Sequence, residues 1–64
     1  MIVNGNKISL EAPVTVAAFL EEKGYLKSRV VVEKNGDIVP KASFETVFLD
    51  DRDEIEIVHF VGGG

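Results

Sequence analysis

Asp51-Arg52-Asp53-Glu54-Ile55-Glu56-Ile57-Val58-His59-Phe60-Val61-Gly62-Gly63-Gly64 closes the sequence, and its reading decides the fold. Glu54-Ile55-Glu56-Ile57 alternates charged with apolar side chains, the period of a strand with one buried face. Asp50-Asp51-Arg52-Asp53 is the polar turn that precedes it. Ile55 and Ile57 are expected to face a core. By the same parity Val58 and Phe60 continue the side of Glu54 and Glu56, so two large apolar residues fall on a face that begins charged. Either a bulge resets the register and buries Phe60, or the strand's end shows an apolar patch to a partner. The patch is the reading favoured here.

Upstream, Ile2-Val3, Asn4-Gly5 and Lys7-Ile8-Ser9-Leu10 read as a hairpin, because Asn and Gly both tolerate the positive φ of a type I′ turn. Glu11-Ala12-Pro13 ends its second strand, since Pro13 has no N–H to give a ladder. Thr15 fits the N-cap of a helix over 16–23, with Val16, Phe19 and Leu20 at i, i+3 and i+4 and with Glu21 and Glu22 in water. Gly24 supplies the left-handed stop. Val30-Val31-Val32 is a β-branched strand, and Asn35-Gly36 before Ile38-Val39 signals a second hairpin that Pro40 closes. Residues 41–49 are ambiguous; Phe44 and Phe48, four apart, suit one helical turn and are expected as satellite core residues. This order predicts an α+β domain over 1–61, a mixed sheet packed on one main helix, with 62–64 as a conformationally free glycine tail.

The chain has 64 residues and a net charge of −4. That is one small domain with little room for a deep substrate cleft, which argues against an autonomous enzyme. Cysteine is absent, which removes disulfides, thiolate nucleophiles and Cys-based zinc sites. No basic leader precedes Ile2 and no long apolar run exists, so a cytoplasmic location is expected, with no membrane contact. The negative charge argues against nucleic acid, whose phosphates need clustered Lys and Arg. Residues 1–32 hold four bases and three acids (+1), residues 33–64 three bases and eight acids (−5). The acidic half is either a solvated surface or a docking face for a basic partner.

His59 stands alone as a histidine, with no second ligand for a metal site and no nucleophile beside it, so it reads as a packing or edge residue. The acids at 50–54 lack the spacing and glycine of a calcium loop, and no metal site is expected. Gly5, Gly24 and Gly36 are isolated turn or cap residues and form no phosphate loop. Chemistry is therefore expected at Gly62-Gly63-Gly64. Three residues without Cβ make a tail narrow enough to thread a channel. A terminal carboxylate, with a pKa of roughly 3.3 to 3.7, is a poor electrophile until a nucleotide activates it, and a side chain there would obstruct the activating site. The alternative is a frayed, inert end.

These features together, the hairpin start, the 15–24 helix, Val30-Val31-Val32-Glu33 and the closing strand with its glycines, resemble the ThiS family of sulfur carriers of thiamine thiazole synthesis over the whole chain. A glycine pair alone is weakly specific; joined to this strand and this size it is not. The resemblance implies a ubiquitin-like β-grasp fold with the first and last strands parallel at the sheet centre. It implies a carrier that binds no cofactor and acts as co-substrate. A ThiF-type adenylyltransferase would use ATP and magnesium to adenylate Gly64, a persulfide sulfur donor would displace AMP, and a ThiG-type thiazole synthase would take sulfur from the resulting thiocarboxylate. Gly64 matches the modified residue, Gly63 and Gly62 the approach through the activating channel, and Val58 and Phe60 the partner surface. The third glycine exceeds the minimal pair. Related carriers for molybdopterin, tRNA thiolation or amino-acid synthesis share such a tail. A ubiquitin-like modifier would form isopeptide bonds instead, and a binding module with an inert tail is the remaining alternative.

Overall fold

At both Asn-Gly turns the two residues take positive φ, 50° and 85° at Asn4 and Gly5, 52° and 90° at Asn35 and Gly36, as a type I′ turn requires. The structure, a computed structural model, describes residues 1–60. In chain order its elements are β1 (Ile2–Val3), β2 (Asn6–Lys7), β3 (Val14–Thr15), α1 (Val16–Glu22), β4 (Val30–Lys34), β5 (Asp37–Val39), β6 (Phe48–Leu49) and β7 (Glu54–His59), with 3-10 turns at Lys27–Arg29 and Lys41–Ser43. The turns join β1 to β2 and β4 to β5, and the five-stranded sheet runs β2-β1-β7-β4-β5. Strand β7 is central, parallel to β1 and antiparallel to β4. The expected mixed sheet on one helix, with parallel first and last strands, is the observed architecture.

Helix α1 begins where Thr15 Oγ1 accepts from Ala18 N–H at 3.1 Å. Two more of its N-terminal donors are met from outside: Val16 N–H bonds Val47 O at 3.0 Å and Ala17 N–H bonds Phe44 O at 2.7 Å. At the other end Lys23 is the C-cap, one residue beyond the last helical turn, and Gly24 takes φ 82°. Gly24 N–H reaches Glu21 O and Tyr25 N–H reaches Leu20 O, the paired bonds of a Schellman stop. Val16, Ala17, Phe19 and Leu20 are buried against Val3, Val30, Val32, Val39, Ile55 and Ile57 from the sheet's inner face.

Three expectations need correction. The second hairpin strand is β2 alone, with Ile8 and Leu10 half-buried in the loop that follows. A second, two-stranded sheet pairs β3 with β6, a ladder that sequence patterning did not show. Phe48 lies in β6 opposite Thr15 and is 55% exposed, whereas Phe44 is buried. Phe44 follows the 3-10 turn and points into the core; Phe48 follows strand parity, which buries its neighbour Leu49 instead. The two phenylalanines therefore do not share a face.

Candidate functional site

The central strand holds one register along its whole length. Against β4 the partners are Lys34 and Ile55, Glu33 and Glu56, Val32 and Ile57, Val31 and Val58, Val30 and His59. Phe60 N–H continues the series to Arg29 O at 2.8 Å. No bulge intervenes, so the parity of Glu54 and Glu56 carries through to Val58 and Phe60. Both are exposed, at 53% and 52%. Of the two readings offered by the sequence, the exposed patch is the one observed.

Around this patch the sheet's outer face, away from α1, carries Ile2, Val31, Ile38, Val58 and Phe60 among the carboxylates of Glu33, Glu54 and Glu56. Ile38, opposite Glu33 in the ladder, is 65% exposed. Glu33 and Glu56 are direct cross-strand neighbours, an arrangement of like charges that weakens a sheet. On this face Glu33 and Glu56 lie side by side on β4 and β7 with Glu54 next along β7, flanked by Ile2 and Ile38 and followed by Val31, Val58 and Phe60, so acidic middle and apolar end are chemically matched to a surface that sets Lys or Arg beside apolar side chains.

The inner face of the strand's end differs. His59 is exposed and its ring stands 6.2 Å from that of Tyr25, tilted by 50°. Tyr25 is placed there by the Schellman stop. Beside it a groove of about 270 Å³ is lined by Val3, Asn4, Asn6, Ile8, Phe19, Lys23 and Tyr25.

Two side chains that sequence reasoning missed hold β7 in position. Asn4 Nδ2 donates to Ile57 O at 3.2 Å, and Ile57 N–H donates to Asn4 Oδ1 at 2.8 Å. Asn35 repeats the device at the strand's start, with Glu54 N–H donating to Asn35 Oδ1 and Asn35 Nδ2 donating to Asp53 Oδ1, both at 2.9 Å. The preceding turn is tied by its own carboxylates. Arg52 N–H donates to Asp50 Oδ1 at 2.8 Å, and this bond, which outweighs the opposing effect of burial and is aided by the Arg52 guanidinium and Lys34, holds the Asp50 carboxyl below its usual range.

Among the described residues no group of three or more His, Asp or Glu side chains is gathered to hold a metal ion. No described helix is long and apolar enough to cross a membrane. Val58 and Phe60 are thus brought together on one face, while Gly62, Gly63 and Gly64, with the proposed boundary between 61 and 62, lie outside the described residues.

A profile of the ThiS family matches residues 1–64. The chain is 44% identical over 64 residues to a thiazole synthase of Paramagnetospirillum magneticum, all of this chain against 20% of that protein. It therefore spans about one fifth of that relative's length. It is 60% identical over 35 residues to the sulfur carrier protein ThiS of Bacillus subtilis, 55% of this chain and 53% of that one. The crystal structure of the thiamine biosynthesis protein ThiS from Geobacter metallireducens superimposes with a TM-score of 0.81 at 27% identity, covering 98% of this chain and 96% of that one. The chain belongs to the ThiS family and has its ubiquitin-like β-grasp fold.

Proposed function

We propose that this protein is a cytoplasmic sulfur carrier for thiazole formation in thiamine biosynthesis, worked on by partner enzymes and catalysing no step itself. A ThiF-type adenylyltransferase, using ATP and magnesium, activates the Gly64 carboxylate. The carboxylate oxygen attacks the α-phosphorus of ATP and pyrophosphate leaves. The terminal sulfur of a persulfide then attacks the acyl carbon and AMP leaves. A thiol cleaves the S–S bond so formed, which leaves a thiocarboxylate on Gly64 and a disulfide on the donor side. A ThiG-type thiazole synthase takes the sulfur.

Gly62 and Gly63 let the terminus pass into the nucleotide site, where side chains would collide. The outer face about Val58 and Phe60 docks on the partner, with Glu33, Glu54 and Glu56 meeting basic side chains.

The observation that carries this reading is the family match from the first residue to the last, glycines included, joined to a central strand that reaches Phe60 in unbroken register. The similarity to a segment of a thiazole synthase favours the thiazole route, because a carrier and its consumer gain effective concentration when tethered. Its test is ATP–pyrophosphate exchange with the activating enzyme. The full chain should support exchange; a chain lacking Gly64, or ending in a carboxamide, should support none. Exchange by the carboxamide form contradicts the proposal.

A further inference from the structure

We infer that Asn4 is a positioning residue for docking: by holding the main chain of Ile57 it fixes the backbone of Val58, His59 and Phe60, and with it the outer face that the activating enzyme meets; the inference rests on the carrier reading above and deepens its docking step. Main-chain groups of successive residues in a sheet point to opposite neighbours. Along β7 the odd residues serve β1 and the even ones β4, as Ile2 N–H to Asp53 O, Asn4 N–H to Ile55 O, Asn35 N–H to Glu54 O and Phe60 N–H to Arg29 O show. Ile57 therefore turns its N–H and C=O toward the β1 side.

Strand β1 stops short of it. Its ladder pairs Ile2 with Glu54 and Val3 with Ile55, after which Asn4 and Gly5, both at positive φ, carry the chain away into β2. The Asn4 side chain takes the place of the missing strand residue, accepting from Ile57 N–H at 2.8 Å and donating to Ile57 O at 3.2 Å. One amide thus gives β7 a further rung.

The place of this rung gives it a part in docking. Val58 is the next residue of the chain, Phe60 follows on the same face, and both side chains are more than half exposed, so packing does little to order them. A strand bonded along one edge twists and frays more readily than a strand bonded along both. With the clamp the stretch of β7 held on both edges ends at Ile57, beside Val58; without it that stretch ends at Ile55. A surface ordered before it binds gives up less freedom on binding. The clamp therefore governs how tightly Val58 and Phe60 dock and leaves the chemistry at the terminus alone.

Asn4→Gly and Asn4→Ala both remove the clamp, but glycine suits the positive φ and leaves the more stable fold. Adenylation by the activating enzyme is followed at a temperature where circular dichroism shows each variant fully folded. KM for the carrier should rise about tenfold in both variants alike, with kcat within about twofold of the parent's. In free Asn4→Gly the amide order parameters of Val58 and His59 should fall below the parent's, while those of Val32 and Ile55 do not. A bond that only stabilised the fold would leave both readouts unmoved in a folded chain. Where Asn4→Ala does not fold, Asn4→Gly carries the test. A parent-like KM, parent-like order parameters, a fall in kcat at unchanged KM, or KM values that differ between the variants as their stabilities do, overturns this inference alone. An unmodified chain that is never adenylated overturns the carrier reading with it.

Discussion

Asn4 grips both main-chain groups of Ile57, accepting from its N–H at 2.8 Å and donating to its C=O at 3.2 Å. A turn residue thereby acts as the last rung of the parallel pair that ties the first strand to the central one. The amide fits because it carries a donor and an acceptor in the spacing of a peptide group. Asn4 also sits at φ 50°, where asparagine is better tolerated than most residues.

Asn4→Ala loses both bonds and places a Cβ-bearing residue with no local partner in the left-handed region, so it should cost about 2 to 4 kcal/mol. Asn4→Gly relieves the backbone and should cost about 1 to 2 kcal/mol less than Asn4→Ala. Urea unfolding of the two variants checks the ranking. Equal stability of Asn4→Ala and the parent would mean that the clamp contributes nothing.

Phe60→Asp separates fold from function. The ring is half in water, so unfolding free energy should move by no more than about 0.5 kcal/mol. Adenylation should fall at least about tenfold, as expected when an apolar contact at an interface centre is replaced by a charge. Circular dichroism melting and a pyrophosphate-release assay read the two effects. A variant that fails to fold would show that Phe60 belongs to the core.

Glu56→Lys should push stability and docking in opposite directions. It turns the repulsion with Glu33 into an attraction, which should stabilise the domain by about 0.2 to 1 kcal/mol. The same change removes a carboxylate from the proposed docking face and should weaken binding to the activating enzyme, the more so at low salt. Calorimetry at two ionic strengths measures this; unchanged affinity at both would remove the acidic face from the interface.

How much of this was legible in the sequence depended on the length of each pattern. Strand β7 announced itself because Glu54-Ile55-Glu56-Ile57 shows the two-residue period, and parity put Val58 and Phe60 on its outer side with a bulge as the competing reading, which the unbroken register removes. Thr15, Gly24 and the Asn-Gly pairs were readable because each is a local steric choice. The ladder of β3 and β6 was not, since two-residue strands show no period. What positions 44–47 is the need of the α1 N-terminus for acceptors, met by Phe44 O and Val47 O, and that is a long-range matter. The Asn4 clamp was hidden for a related reason: a turn asparagine gains a second role only once a parallel strand lies beside it. The signal that could have found it is the occurrence of Asn at the same place in both turns. Gly62, Gly63 and Gly64 were singled out by composition, and the structure describes the strand that leads toward them.

Asp50 gives a pH dependence. Its carboxyl is held below the ordinary range because Arg52 N–H donates to the charged form. A lowered folded-state pKa stabilises the fold above the unfolded value, about 3.9 for Asp, and that contribution is lost as pH falls through the lowered value. Asp50→Asn should therefore be less stable than the parent at about pH 6, with the difference shrinking toward about pH 2.5. Urea midpoints at the two pH values check it, and a constant difference would mean that Asp50 acts through shape alone.

The central claim is that sulfur travels on the carboxyl end of Gly64. Intact and fragment mass spectrometry of the protein taken from sulfur-replete native cells tests it most directly. The account predicts a population in which one oxygen of the last residue is replaced by sulfur, lost on incubation with a thiazole synthase and its substrates. A terminus that is carboxylate in every molecule, or one joined through an isopeptide bond to lysines of other proteins, would contradict it.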